Sequence, residues 1–469
     1  MRSYTETKLL WMTRLADAFT PICFACLALI IHDPFEPFYE DGRFYVLVVA
    51  ATILTKDVFH YLDFYSIAAL RGLRRQVRRL IFGWTVSMVA LSIGVLAVRT
   101  DLPSFQLWAG AWYVGALFGF VVSHAIVSKV LHFWDENGRL VRNVAVVGAS
   151  AQAQRAVEYL HRPGSNCRVV AIFGDGDAPC DPGEIAGVPV RGKIDDLLTY
   201  SVNRPLDHIV IALPWTAERQ IADITTRLST IPVDIGLVPG LEGFTLGRCH
   251  FGAVGGLPVL NIFEKPLSDS KLILKRLEDV TIAAFLLVLL SPLMLVTALL
   301  IKLGSPGPVL FRQTRLGLNN RFISVWKFRT MYVDDCTDAI VSQTLRNDPR
   351  VTFLGYWLRR TSIDELPQLF NVLQGKMSVV GPRPHAVGTR AGSILFEEAV
   401  AEYAARHRVK PGLTGWAQVN GWRGETDTLE KIERRIACDL YYIENWSLLF
   451  DLKIILMTAV IVLRCRNAW

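Results

Sequence analysis

Long apolar stretches occupy the first part of the chain and constrain its fold more than any other feature. Four of them lie at about 11–31, 44–70, 80–98 and 106–131, each near the ~20 residues that an α-helix needs to cross a bilayer. Hydrophobic residues make up 51% of the 469 positions and charged residues only 20%, with a mean hydropathy of +0.31. This balance predicts a membrane protein that carries soluble parts.

The loops between these stretches differ in charge and therefore predict an orientation. The first loop is acidic, whereas the second is basic and contains Arg71, Arg74, Arg75, Arg78 and Arg79. Basic loops stay on the cytoplasmic side of a membrane. We therefore expect a four-helix transmembrane region over 1–135 with both ends in the cytosol.

After residue 136 the sequence alternates between strand-like and helix-like segments. "VAVVGASAQAQRAVEYL" predicts a strand, a turn at Gly148 and a helix, and the strand-like runs "RVVAIFG", "HIVIALP" and "VDIGLVP" follow. This alternation predicts a cytosolic Rossmann-like α/β domain over 136–265. A dinucleotide site needs further glycines where Ser150 and Gln152, or Ala153, stand. The pattern favours a structural or dimerising role, and cofactor binding is the alternative.

A further apolar stretch at 280–301 is long enough to span a bilayer, but lysines and arginines flank both of its ends. Cations on both flanks prefer the same side of a membrane. Ser291 and Pro292 lie at the midpoint, where proline removes a backbone hydrogen bond. We expect a re-entrant helix at about 277–302 that bends at Ser291 and Pro292, with the serine hydroxyl satisfying a freed carbonyl. The alternative is a fifth transmembrane helix.

The last apolar stretch, which begins at Ser447, is interrupted by Asp451 and Lys453. A spanning helix is again one interpretation. The interruptions favour a helix that lies along the membrane interface or dips into it.

Two adjacent carboxylates, Asp364 and Glu365, lie within "RRTSIDELPQLFNVLQGKMSVVGPRP". A capping box from Ser362 to Glu365 is the structural alternative. That arrangement would put Pro367 inside the helix, where its missing N–H costs a hydrogen bond. A helix beginning near Asp364 instead places both carboxylates at its N-terminus, whose partial positive charge favours their ionised forms.

Basic residues surround the acid pair in the sequence. Arg359, Arg360 and Arg383 bracket it, and a Gly-rich loop, "KPGLTGWAQVNGWRG", is suited to a base, a ribose or a sugar. A nucleotide diphosphate with a divalent metal fits this set, because arginines bind phosphates and a carboxylate binds magnesium. The second carboxylate is then free to attack phosphorus. Further cations lie upstream, at Arg312, Arg315, Arg321, Lys327 and Arg329.

These motifs carry a resemblance to a known family. The segment 266–469 resembles the polyisoprenyl-phosphate hexose-1-phosphate transferases of bacterial sugar-polymer assembly, through "LLSP", "FRQTRLG", "KFRTM", the acid-pair stretch and "KPGLTGWAQVNG". The four apolar stretches and the Rossmann-like segment match the large, polytopic branch of that family. The resemblance implies a mostly helical, monotopic catalytic domain on the cytoplasmic face of the bacterial inner membrane.

The resemblance also implies an activity and its residues. A hexose 1-phosphate, with glucose favoured, passes from a UDP-sugar to undecaprenyl phosphate and UMP is released. Asp364 matches the nucleophile of a covalent phospho-sugar intermediate, Glu365 the ligand of Mg²⁺, and Ser291 with Pro292 the break of the re-entrant helix. Positions expected at the substrates are Arg359, Arg383, Pro382, Pro384, Lys327, Arg329, Gln313 and Gln418.

Three other functions stay open at this point. The donor could be UDP-galactose, or the Rossmann-like segment could belong to a nucleotide-sugar dehydratase or oxidoreductase. A non-catalytic membrane protein that recruits assembly partners is the third. The expected partners are the UDP-sugar, the lipid phosphate and the bilayer, with no nucleic acid and with a homodimer as an open alternative.

Overall fold

The computed structural model divides into two compact units, Met1–Val141 and Arg142–Trp469. The boundaries at 135 and 265 within a three-domain organisation stay a prediction. The residues that the structure describes are 2–32, 42–97, 105–138, 140–162, 165–174, 183–214, 216–238, 252–332, 350–385, 390–391, 394–395, 403–422 and 428–463.

The first unit is helical. Its helices are α1 (Arg2–His32), α2 (Gly42–Tyr61), α3 (Ile67–Arg71), α4 (Leu73–Ala97) and α5 (Phe105–Glu136). Aromatic side chains fill the space between them, and the indole N–H groups of Trp108 and Trp112 donate to carbonyls of α1. A buried indole needs such a partner, so these bonds fix α5 against α1.

Two boundaries in the first unit differ from the sequence prediction. The second apolar stretch ends as a helix at Tyr61 rather than near residue 70, because Asp63 adopts a left-handed φ of 50° and Ser66 then caps α3. The basic loop is also shorter than expected. Four of its arginines lie in the first two turns of α4 (Arg74, Arg75, Arg78 and Arg79).

Five helices in the described part of the chain are long and apolar enough to cross a bilayer. Four are in the first unit and the fifth is in the second. They support membrane-protein class by length and composition, and the number of crossings stays a prediction. The helices are Glu6–Ile30, Phe44–Tyr61, Leu73–Gly94, Trp108–Glu136 and Asp269–Gly304.

The second unit begins with a six-stranded mixed sheet in the order β2-β1-β5-β6-β8-β7. Strands β2, β1, β5 and β6 are parallel, and β8 runs antiparallel to β6 and β7. The expected parallel strands and crossover helices are therefore present, with an antiparallel edge added. The elements are β1 (Arg142–Val147), α6 (Ala151–Leu160), β2 (Cys167–Phe173), β3 (Glu184–Ile185), β4 (Val188–Pro189), α7 (Ile194–Asn203), β5 (His208–Ile211), α8 (Glu218–Leu228), β6 (Asp234–Leu237), β7 (Gly252–Val254) and β8 (Leu257–Phe263).

The turn between β1 and α6 requires glycine. Gly148 has a φ of 116°, and an added Cβ would lie 2.7 Å from the carbonyl oxygen of Ala212. Nearby, Ser150 and Gln152 donate side-chain hydrogen bonds to the carbonyls of Ala212 and Val238. These two side chains therefore tie the start of α6 to the chain just after β5 and β6, at the edge where a dinucleotide fold places its ligand.

The rest of the second unit packs around a long helix. Its apolar core includes Ala283, Leu369, Val379 and Ile454. The elements are α9 (Asp269–Gly304), β9 (Leu310–Leu316), β10 (Phe322–Phe328), α10 (Phe353–Thr361), α11 (Gln368–Leu373), β11 (Ser378–Val380), β12 (Arg390–Ala391), β13 (Ile394–Leu395), β14 (Gly412–Thr414), α12 (Trp416–Val419), α13 (Leu429–Glu444) and α14 (Leu448–Leu463).

Helix α9 is one continuous element with Pro292 inside it. Pro292 has no N–H for the carbonyl of Val288, four residues earlier. The hydroxyl of Ser291 donates to that carbonyl at 2.8 Å, so the contact expected of Ser291 is present. The middle of the helix is exposed and apolar, as at Val288 and Leu295. Helix α14 likewise exposes Leu449 and Leu456.

We expect Gly148→Ala to lower the free energy of unfolding by about 2 to 4 kcal/mol, because the backbone is strained and the new methyl group overlaps a carbonyl. Gly187→Ala is the matched control, since Gly187 has a φ of 77° but nothing within 4 Å of its Cβ. It should cost only about 1 kcal/mol. Thermal unfolding of the detergent-solubilised full chain measures both, and equal losses would contradict the overlap.

Candidate active site

The acid pair lies in a tight connection between two helices. Helix α10 ends at Thr361, Ser362 takes a left-handed φ of 60°, and Ile363–Glu365 form one 3₁₀ turn. Asp364 and Glu365 are each more than nine-tenths buried. The α-helix begins only at Gln368, later than expected, because Pro367 starts it. Ser362 makes no side-chain capping bond to the turn, so the capping box is not formed.

Glu365 accepts hydrogen bonds from two cations. The Nζ of Lys327 lies 2.9 Å from Oε1, and one guanidinium nitrogen of Arg383 lies 2.6 Å from the same oxygen. The second nitrogen of Arg383 lies 3.2 Å from Oε2. A fork of this kind fixes the carboxylate and the guanidinium in one plane. The structure thus brings together Lys327, Glu365 and Arg383, three of the residues predicted from the sequence.

The two carboxyl groups have opposite pKa shifts. Burial raises the pKa of Glu365, but Arg383 and Lys327 outweigh it and hold that pKa well below 4.5. For Asp364, burial and the neighbouring Glu365 charge raise the pKa to about 6, against the opposing effect of Lys327, Arg359 and Arg383. Opposite shifts in adjacent titratable groups are typical of sites that assign different roles to each.

Arg315 is among the upstream cations named from the sequence but not among the positions expected at the substrates, and the structure places it near Glu365. It lies on β9, and burial together with the charge of Arg383 lowers its pKa to about 10, while Glu365 opposes the shift. Its guanidinium donates to the side-chain oxygen of Gln313 at 2.6 Å. The predicted Gln313 therefore orients Arg315. Both are in "FRQTRLG", and their alternation along one strand places them on the same face.

Other predicted residues lie around this centre with different contacts. Arg359 donates to the Thr330 hydroxyl at 2.9 Å and lowers the pKa of Asp364. Arg329 instead donates to the carbonyls of Ile301, Ser305 and Pro306. It therefore closes the C-terminal end of α9, and a direct contact of Arg329 with substrate stays a prediction.

The Gly-Pro segment, which comprises residues 381–384, is fixed by strand pairing. Strand β11 pairs with β14, and the Pro382 carbonyl accepts from the N–H of Gly412 at 2.9 Å. Pro384, on the other side of Arg383, is half-buried. Gln418 follows β14 in α12, with its side-chain oxygen buried and no hydrogen-bond partner in the described structure. The remaining predicted pair, Ser291 and Pro292, lies in the exposed middle of α9.

A second buried group of residues contacts the backbone of Arg383. Arg406 is 1% exposed, donates to the Arg383 carbonyl at 2.8 Å and lies 2.6 Å from the His385 ring. Asp439, on α13, pairs with Arg406 at 2.7 Å. Burial, then Arg406 and Arg435, hold the pKa of His385 well below its usual value. The sequence indicated none of this, since Asp439 is distant and its helix is otherwise unremarkable.

The acid pair also bears on metal binding. No group of three or more His, Cys, Asp or Glu side chains suited to a metal occurs among the described residues. Mg²⁺ does not require one, because it binds through one or two carboxylates plus waters and substrate phosphates. Asp364 and Glu365 supply hard oxygen atoms of that kind, and Oε2 of Glu365 has only the longer contact with Arg383. The residues therefore fit a magnesium ion that substrate phosphates help to hold.

Buried carboxylates among arginines, beside an exposed apolar helix, define a membrane enzyme class that acts on phosphorylated substrates. Comparison with known proteins narrows this class. The model of the bacterial sugar transferase family matches residues 270–465, and that of a CoA-binding domain matches 60–239.

Relatives match most of the chain. A UDP-glucose:undecaprenyl-phosphate glucose-1-phosphate transferase from Escherichia coli (strain K12) is 38% identical over 88% of this chain and 88% of its own. One of the same name from Klebsiella pneumoniae is 36% identical over 94% and 91%. A UDP-N-acetylgalactosamine-undecaprenyl-phosphate N-acetylgalactosaminephosphotransferase from Aeromonas hydrophila is 45% identical over 39% and 42%. The chain belongs to the bacterial sugar transferase family, and the resemblance found in the sequence is confirmed.

We expect Asp439→Asn to destabilise the protein by about 3 to 5 kcal/mol, because it leaves the Arg406 charge buried without its partner. Glu430→Gln on the same helix is the matched control. It breaks an exposed pair with Arg434 and should cost below about 1 kcal/mol. Thermal unfolding of the solubilised full chain compares the two variants, and similar melting temperatures would refute the assigned role of the buried pair.

Proposed function

We propose that this protein transfers a hexose 1-phosphate, glucose 1-phosphate in the first instance, from a UDP-sugar to undecaprenyl phosphate and releases UMP. This would be the first membrane step in the assembly of an exopolysaccharide, capsule or O-antigen. The observation that carries the proposal is Asp364 buried beside a Glu365 that two cations hold. The names of the relatives that cover most of the chain agree with it.

The reaction proceeds in two displacements. An oxygen of Asp364 attacks the β-phosphorus of the UDP-sugar, and the bond from that phosphorus to the bridging oxygen breaks, so that UMP leaves with the electron pair. An oxygen of the lipid phosphate then attacks the aspartyl phosphate. That step restores the carboxylate and yields the undecaprenyl diphosphate sugar. A covalent route of this kind splits one difficult transfer into two easier ones.

Charge at the site favours both displacements. With a pKa of about 6, Asp364 is mostly ionised at neutral pH and is more basic than an ordinary aspartate. Arg359 and Arg383 interact electrostatically with Asp364, and Arg315 does so with Arg383 and Glu365. Such fixed cations stabilise charge on a transferring phosphoryl group without reorganising. Glu365, with a depressed pKa, stays a carboxylate and holds Arg383 and Lys327 in place.

We place Mg²⁺ at Glu365, where a bound ion would neutralise charge on the diphosphate and so favour departure of UMP. Lys327 and Arg383 already contact that carboxylate. These side chains bind and orient the diphosphate, and Arg406 keeps Arg383 directed at it.

The membrane arrangement is proposed from the helices. We place four crossings in the first unit and a re-entrant α9 in the second, with the site on the cytoplasmic face of the inner membrane. The second unit contacts both ends of α9, which supports the re-entrant form. Arg276 near its start donates to the carbonyls of Val372 and Leu373, while Arg329 donates to Ile301 near its end. Because the same unit contacts both ends, a spanning α9 would require that unit to have parts on both sides of the bilayer.

The sugar is the least constrained part of the proposal. Relatives similar over most of the chain carry UDP-glucose in their names, whereas the N-acetylgalactosamine relative is similar only over the last part. We therefore favour glucose, keep galactose as the alternative donor, and leave a homodimer as a prediction.

We expect Asp364→Asn to abolish UMP release from UDP-glucose in purified membranes that contain undecaprenyl phosphate. The loss should exceed about 10³-fold, since the isosteric amide cannot attack phosphorus. Without the lipid acceptor, the wild-type protein should release about one UMP per chain and retain labelled sugar phosphate, and the variant should do neither.

Asp223→Asn is the control for this change, because Asp223 is an exposed carboxylate on α8. It should retain full activity. Survival of most of the activity in Asp364→Asn would exclude the nucleophile assignment. Offering UDP-galactose beside UDP-glucose in the same assay decides the donor.

We expect Ser268→Cys and Pro308→Cys, which flank α9, to react with a maleimide from the same side of the membrane. Both should resist an impermeant reagent added outside intact cells and react in inverted vesicles. Asp41→Cys, in the loop predicted to face outside, serves as the reference for the opposite behaviour. Reaction of Pro308→Cys from the outside would show a spanning helix instead.

A further inference from the structure

The turn that joins β9 and β10 meets the last turn of α7. Helix α7 belongs to the predicted Rossmann-like domain over 136–265, which we call the middle domain. The side-chain amide of Asn319 donates to the carbonyl of Ser201 at 2.9 Å, and Nε of Arg321 donates to the carbonyl of Val202 at 2.8 Å. The final carbonyls of a helix have no partner inside it. A cation at that end is also favoured by the helix dipole. The turn therefore caps α7.

The backbone conformation of this turn favours its contact with α7. Asn319 and Asn320 both take left-handed φ values, 54° and 55°. Asparagine adopts this region more readily than other residues with a side chain. Two asparagines in succession thus allow the turn to present the Asn319 amide to α7.

The hairpin that this turn closes carries residues of the active site. Arg315 and Gln313 are on β9, and Lys327 is on β10. Within the described structure these strands pair only with each other. Two strands alone are marginal in stability, so this hairpin depends on the groups that contact it. Asn371 holds the middle of β10, since its side chain accepts from the Trp326 N–H and donates to the Ser324 carbonyl. The contact with α7 holds the turn.

A cavity of about 480 Å³ borders the same contact, lined by residues of α7 and by Asn319, Asn320 and Ala404. The cavity leaves part of this junction open. Ala404 lies in the 3₁₀ helix Tyr403–Arg408, which also contains Arg406. The position of the turn therefore bears on both Arg315 and the support of Arg383.

We propose that the end of α7 is a positioning contact for the active site, and that Asn319 and Arg321 are its positioning residues. By holding the turn, the middle domain sets the distance of Arg315 and Lys327 from Glu365 and so the affinity for the diphosphate of the donor. Through this contact the middle domain contributes to substrate binding. The kinetic consequence rests on the proposed function, whereas the structural consequence does not.

The test is Asn319→Asp in the full-length protein. This isosteric change replaces the donor with a carboxylate that faces the Ser201 carbonyl. We expect faster hydrogen exchange in the amides of 310–328, and a KM for UDP-glucose raised about 5- to 10-fold with kcat nearly unchanged, the size expected for one lost hydrogen bond and a repelled acceptor. Asn320→Asp makes the same charge change one residue away, tolerates the same φ, and should alter neither readout.

Each result has a distinct meaning. Exchange that stays at the wild-type rate in Asn319→Asp would overturn the contact itself. Faster exchange with an unchanged KM would overturn its role in positioning, as would equal effects of the two variants. Should the wild-type protein release no UMP from any UDP-sugar, the proposed function fails, while the exchange measurement still decides whether α7 holds the hairpin.

Discussion

The buried ion pair between Glu365 and Arg383 is the interaction on which the rest of the site depends. A carboxylate with so little exposure is stable in its charged form only when cations satisfy it, and here Arg383 and Lys327 do so from two different elements. The charge of Glu365 in turn helps to raise the pKa of Asp364, its neighbour in the chain. One residue thereby fixes the cations to which we assign phosphate binding and tunes the nucleophile that we propose.

Three segments of the chain bring the side chains of this site together. The hairpin of β9 and β10 brings Lys327 and Arg315, the Gly-Pro segment brings Arg383, and the 3₁₀ turn brings the acids. Behind them Arg406 and Asp439 form a pair that is almost fully buried. Positions held by packed and charged partners keep their geometry better than loops do. The site and its support are thus assembled from segments between Arg315 and Asp439, and buried partners hold the residues around Glu365 in place.

The long helix α9 joins this polar site to an apolar environment. Its ends are bound into the second unit, while side chains in its middle such as Val288 and Leu295 are exposed. Exposed apolar surface of this extent indicates a partner that is itself apolar. Ser291 satisfies the carbonyl that Pro292 leaves unpaired, so the break in the hydrogen-bond ladder costs little. A water-soluble donor and a lipid acceptor can then meet beside one helix.

The sequence by itself determined the elements whose patterns are local. Apolar length predicted the long helices, alternation predicted the parallel strands, and the clustering of acids and arginines predicted the site around Asp364, Glu365 and Arg383. It placed the end of α2 and the start of α11 wrongly, because the left-handed residue Asp63 leaves no clear local pattern and Pro367 starts α11 later than expected. Only the tertiary structure decided that Arg329 closes α9, that Arg315 joins the site, and that Asp439 and Asn319 support it. The physical reason is that a long side chain reaches several ångströms in any direction, so its partner is set by how distant segments pack and not by its neighbours in the chain.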